Sequence, residues 1–168
     1  MKIAISSDER THLTDIVQET LRAGGHELRV MGALAIAGVP WTEASEALAR
    51  EVAEGAAEMG VLFCFTGTGA SIVANKVSGI RAALCADAQT AAGARRWNDA
   101  NVLVMSLRAT SPELAREILE AWFTTSVDAQ DAALIDGITK IEARERLARP
   151  GRGAATGLLS DGEGQGRD

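Results

Sequence analysis

The chain has 168 residues, of which 46% are hydrophobic but only 4% aromatic, and a formal charge of −6. One domain with a single core accounts for that length without disulfide support, and an acidic balance with no basic run argues against a nucleic acid or an anionic membrane as partner, leaving a small molecule. No stretch approaches the ~18 apolar residues of a membrane span, and the opening MKIAIS runs straight into a strand, so a cytoplasmic protein is expected.

Strand and helix patterns alternate along the chain. Residues 2–6 read as a strand, 14–23 as a helix stopped by Gly24 and Gly25, 27–31 as a second strand, and 42–59 as an amphipathic helix ended by Gly60. The apolar run 61–65 is a buried type of strand, followed at once by the glycine-rich segment 66–71 and an Ala/Val-rich stretch to Lys76. Two more strands are expected at 81–85 and 102–106, and helices at 90–96, 112–123 and 131–147. The pattern predicts an α/β fold, Rossmann-like and doubly wound, with a mostly parallel five-stranded sheet and helices on both faces. One domain over 1–149 would be followed by a flexible glycine-rich tail at 150–168.

Chemistry concentrates where the strand 61–65 delivers Cys64 into Thr66-Gly67-Thr68-Gly69. Glycine accepts positive φ and lets backbone N–H groups approach an anion, although a GxG segment alone serves equally as a tight strand-to-helix turn. A thiol at that strand end, close to N–H groups, is expected to titrate low enough to act as a base near neutral pH. Cys85 lies inside its strand and reads as core. Two cysteines make no disulfide framework and no zinc cluster, and no metal or cofactor is expected.

The segment GVLFCFTGTGASIVANKVSGIRAALC, residues 60–85, resembles the signature of the ribose-5-phosphate isomerase B family, which includes galactose-6-phosphate and allose-6-phosphate isomerases. Asp8, the run Asn98-Asp99-Ala100-Asn101, Arg108 and the segment 138–142 extend the resemblance over about 145 residues. The resemblance implies aldose–ketose isomerisation through a cis-enediol, with Cys64 as general base. Ala70 occupies the position where other members carry a glutamate base. Thr66 would move the proton between oxygens, N–H groups of Gly67, Thr68, Gly69, Ala70 and Ser71 would stabilise the enediolate, and Asp8 and Asn98 would orient hydroxyls. It also implies a homodimer or dimer of dimers with the site at the subunit interface.

Four positions depart from that family's pattern. Glu9 and Trp97 stand where sugar-ring-opening enzymes carry histidines, and Gln130 and Leu134 stand where a partner subunit's arginines grip phosphate. Arg10, Arg95, Arg96 and Arg108 remain as candidate anion contacts, although Arg95 and Arg96 read equally well as solvated charge. Neither His12 nor His26 falls on a motif, His12 lying closer to the site. Trp41 and Trp97 read as packing residues, unless Trp97 fills the place of the lost histidine and makes the pocket smaller and more apolar. The expected activity is isomerisation or epimerisation of an altered substrate, such as an open-chain four-carbon sugar phosphate. A non-catalytic subunit of a heteromeric isomerase and a carbohydrate-binding protein are the alternatives.

Overall fold

Strands and helices alternate throughout the computed structural model, which describes residues 1–148. β1 (Lys2–Ser7) leads into α1 (His12–Ala23), β2 (Glu27–Gly32) into α2 (Trp41–Ala53), and β3 (Met59–Cys64) into α3 (Thr68–Ala74). β4 (Ala82–Leu84) leads into α4 (Ala88–Asn98), and β5 (Val102–Ser106) into α5 (Pro112–Thr124). A 3₁₀ turn, Ala129–Asp131, then opens α6 (Ala132–Ala148). The tail expected at 150–168 lies outside the described residues.

The five strands form one parallel sheet in the order β2-β1-β3-β5-β4. From β1 the chain winds to the β2 edge, and from β3 it winds through α3 to the β4 edge, so the direction of winding reverses between β1 and β3. That reversal leaves a crevice above the carboxyl ends of these two central strands. Helices α1, α4 and α5 cover one face, α2 and α3 the other. Covered on both sides, β3 carries Val61, Leu62 and Phe63 in succession, all fully buried, rather than an alternating pattern.

Several boundaries differ from the sequence reading. The helix expected at 42–59 ends at Ala53, because Gly55 adopts φ +73° and turns the chain so that Glu58 joins the sheet, its N–H donating to the Lys2 carbonyl at 2.9 Å. Ala57 keeps the apolar spacing of a helix but is buried in the turn. β3 accordingly starts earlier, at Met59, and Phe65 leaves the sheet and is exposed. The strand expected at 81–85 pairs only over Ala82–Leu84, and Cys85 follows it, buried as expected. Side-chain caps extend two helices: Thr11 accepts from the Thr14 N–H at α1, and Asp87 from the Thr90 N–H at α4.

Many residues of the resembling motifs prove to be structural ties. The Asn75 side chain accepts from the Ala82 N–H at 2.9 Å and donates to the Ala82 and Ser71 carbonyls, joining α3 to β4. Arg81 pairs with Asp99 at 2.8 Å, and Asn101 accepts from the Arg81 N–H. Asp99 reaches this position in a left-handed conformation, φ 45°, and also holds Arg95 at 3.0 Å. Helix α6 buries no residue, yet Glu142 fastens it by accepting from the Gly79 N–H at 3.0 Å and the Ser78 hydroxyl at 3.1 Å.

The edge turn after β2 depends on Gly32, whose φ is +60° and whose missing methyl would meet the Ser6 hydroxyl and, at 2.6 Å, the Ser7 carbonyl. Gly32→Ala is expected to cost about 2 kcal/mol or more of unfolding free energy, from the left-handed backbone and the collision together. Gly25→Ala, also at positive φ but with nothing within 4 Å, is expected to cost only about 1–2 kcal/mol. Urea unfolding of the two variants side by side checks the difference.

Candidate active site

Asp8 follows β1 and Cys64 ends β3, the two strands between which the winding reverses. Parallel pairing in the register Ser7 to Phe63 carries the next residue of each strand to the same place above the sheet. The Asp8 carboxylate therefore lies against the Cys64 thiol, and its Oδ1 is buried without a hydrogen-bond partner. The Cys64 carbonyl is held from the other side by the Leu107 N–H at 3.0 Å, and the Phe65 carbonyl by the Arg108 N–H at 3.1 Å and the Ser106 hydroxyl at 2.9 Å.

After Phe65 the chain doubles back. Gly67 takes φ +80° and caps α3, which returns the N–H groups of Gly67 and Ala70 to the Cys64 sulfur. The thiol nevertheless does not titrate low, as the sequence reading expected. Burial pushes it up from its ordinary value, and the charge and hydrogen bonding of Asp8 push it further, outweighing the two N–H groups that favour the thiolate. Pushed further above neutral in this way, Cys64 stands as a thiol at neutral pH. Cys85 is pushed up to about 12, by burial first and Asp87 second, and is inert core.

The loop is more divided than its sequence suggests. Ser71 turns away: its hydroxyl donates to the Ala82 carbonyl at 3.4 Å and its N–H to the Gly67 carbonyl at 3.1 Å, so neither faces the thiol. The Ala70 methyl is buried among α2 and α3, leaving only its N–H to the site. Thr68 and Gly69, as the first residues of α3, have N–H groups with no helical carbonyl behind them. The Thr66 and Thr68 hydroxyls share a hydrogen bond of 2.8 Å. Beside Thr66 a cleft of about 260 Å³ runs over the ends of β4 and β5, with Ser106, Thr110 and the exposed Arg108 around it. Arg108 stands over the Phe65 ring, 5.8 Å from its centre.

Of the other predicted residues, Glu9 is exposed next to Asp8, its N–H bound by the Ser7 hydroxyl at 3.2 Å, and Arg10 is paired with Asp15 at 2.9 Å. His12 is exposed at the start of α1. Trp97 and Asn98 do not join Cys64 within one chain. They end α4, which leads into the start of β5, and so lie at the amino edge of the sheet, opposite the thiol. Gln130 and Leu134 follow α5 to the same far edge, where the Asp128 N–H donates to the Arg96 carbonyl at 2.8 Å. Asn98 lines a groove of about 380 Å³ there, together with Ile138 and Ile141 of α6.

Arg95 is not a free anion contact. It is buried against Asp99, the Ala100 carbonyl and the Trp122 ring. His26 is likewise at the far edge, stacked on Phe123, its pKa lowered first by burial. Trp41 belongs to neither buried cluster of the core, contrary to its reading as a packing residue, and lies on Gly69 of the thiol loop. The available signal was its place after Pro40, at the start of the helix that follows β2 and hence at the Cys64 edge.

Comparison with known proteins shows the family and the fold. A family model described as Ribose/Galactose Isomerase matches residues 3–138. The chain is 44% identical over 86 residues to D-erythrulose-4-phosphate isomerase of Pectobacterium atrosepticum, an alignment covering 51% of this chain and 57% of that one. It is 35% identical to 4-deoxy-4-sulfo-D-erythrose isomerase of a Clostridium species, covering 74% of this chain and 80% of that one. The solved structure of Clostridium thermocellum ribose-5-phosphate isomerase B superposes with a TM-score of 0.81 at 32% identity, over 86% of this chain and 99% of the other. The family-model match over most of the chain and the shared fold show that the chain belongs to the ribose/galactose isomerase family of aldose–ketose isomerases.

Proposed function

We propose that the chain interconverts the aldose and ketose forms of a short anionic sugar derivative, four carbons long and substituted at C4, with Cys64 as the carbon base. The observation that carries this reading is the contact of a buried thiol and a carboxylate at the switch point, ringed by backbone N–H groups. A four-carbon aldose whose C4 oxygen is phosphorylated or replaced has no hydroxyl able to close a five-membered ring. Such a substrate is already open, and the glutamate and tryptophan at positions 9 and 97 cost it nothing. The relatives named for erythrulose 4-phosphate and for sulfoerythrose support the same carbon number.

In this mechanism the S–H proton of Cys64 passes to Asp8, leaving a thiolate held by the Gly67 and Ala70 N–H groups. The thiolate takes the proton from the carbon beside the carbonyl, and the electron pair moves into an enediolate whose oxygen meets the Thr68 and Gly69 N–H groups. Thr66 carries a proton between the two oxygens, and Cys64 returns its proton to the neighbouring carbon. Each aligned oxyanion donor is typically worth about 3–4 kcal/mol. Arg108, at the mouth of the Thr66 cleft, is placed to meet the anionic end. The far-edge residues Trp97, Asn98 and Gln130 reach such a crevice only from a second copy of the chain, which supports a homodimer with shared sites in place of a monomer.

Two outcomes test the reading. Cys64→Ala is expected to abolish solvent-deuterium incorporation into D-erythrulose 4-phosphate, read by proton NMR, by at least the ~100-fold typical of a lost general base. Retained exchange would remove Cys64 from the chemistry. Iodoacetamide labelling of Cys64 in the free protein is expected to show a midpoint above the ordinary thiol range. Because Asp8 raises the thiol by charge and hydrogen bonding, Asp8→Asn is expected to lower that midpoint and quicken labelling at neutral pH, while isomerisation is lost.

A further inference from the structure

We infer that the indole of Trp41 is a wall of the substrate crevice and sets how many carbons it admits. The inference rests on the isomerase reading above and names a specificity residue within it.

Trp41 opens α2 directly after Pro40, and its carbonyl accepts the Ser45 hydroxyl at 2.6 Å, which fixes the backbone from which the ring projects. The six-membered ring lies flat against Gly69. A methyl placed on Gly69 would stand 2.9 Å from Cζ3 and 3.3 Å from Cε3 and Cη2. Gly69 has no positive φ, so the backbone does not demand glycine there; the approach of the indole does. Its neighbour Ala70 supplies one of the N–H groups on the Cys64 sulfur, so the ring abuts the segment that holds the base.

Core packing does not account for this side chain. Trp122 is fully buried, whereas Trp41 is 44% exposed and lies in neither buried cluster. A large apolar ring left in solvent beside a polar crevice suits the C–H face of a carbohydrate, which offers apolar contact between its hydroxyls. A rigid ring pinned by the loop also bounds the space beyond the reacting carbons. One carbon more or fewer against such a wall is commonly worth ten- to two-hundredfold in kcat/KM.

The test compares D-erythrulose 4-phosphate with D-ribulose 5-phosphate in the ketose-to-aldose direction, since neither ketose can close a five-membered ring and ring opening drops out. Trp41→Ala is expected to shift the ratio of kcat/KM toward the five-carbon ketose by about tenfold or more, and Trp41→Phe by less. Gly69→Ala is expected to lower turnover of both by displacing the ring, with recovery in the Trp41→Ala/Gly69→Ala double variant. Ratios unchanged within about twofold, or no recovery in the double variant, would overturn the inference. A readout independent of turnover is the indole Nε1–H resonance of Trp41, assigned by its absence from Trp41→Phe. It is expected to move when D-erythronate 4-phosphate, which cannot isomerise, saturates the protein. A moved resonance without turnover of any ketose sinks the isomerase reading alone. Turnover with an unmoved resonance sinks the wall alone.

Discussion

Everything at the crevice follows from a carboxylate and a thiol held against each other where the two central strands end. β1 and β3 are hydrogen-bonded neighbours, so the residues just past Ser7 and Phe63 emerge together, and the reversal of winding keeps any helix from covering them. A one-residue slip of β3 would send the Cys64 side chain to the opposite face and bring Phe63 or Phe65 to Asp8. The register is guarded by burial on both faces of β3 and by the turn after β5, where the Leu107 and Arg108 N–H groups take the Cys64 and Phe65 carbonyls.

Burial and the same contact explain why the Cys64 thiol is not ionised in advance. A negative charge and a low-dielectric setting both oppose the thiolate, and two N–H groups do not offset them. A thiol held protonated in this way is less open to oxidation, which proceeds from the thiolate. Asp8 thereby acquires a double character, as partner of the sulfur and as a buried oxygen, Oδ1, still lacking a donor that a substrate hydroxyl can supply.

The predicted site residues divide between opposite edges of the sheet. The thiol, its loop, Trp41 and Arg108 sit at the carboxyl edge, while Trp97, Asn98, Gln130 and the barely anchored helix α6 sit at the amino edge. Leu134, 73% exposed, stands there without cover from the other described residues. At the amino edge, Asn75, Arg81, Asp99, Asn101 and Glu142 serve as ties that set the spacing of α3, β4, α4 and α6. Much of the resembling signature thus reports on how the frame is held.

The sequence by itself determined the alternation of strands and helices, the parallel sheet, the strand end that bears Cys64 and the burial of Cys85, because apolar period, glycine punctuation and strand-to-loop order are local properties. What only the tertiary structure decided are properties made by residues distant in the chain. The raised thiol comes from burial, which no window of sequence records, and from Asp8, which follows a different strand. The division of the loop comes from Ala82, which draws Ser71 away, and the loss of Arg95 as an anion contact comes from Asp99 and Trp122. Trp41 reads as one more packing residue until α2 and α3 are laid side by side on the sheet and its ring meets Gly69.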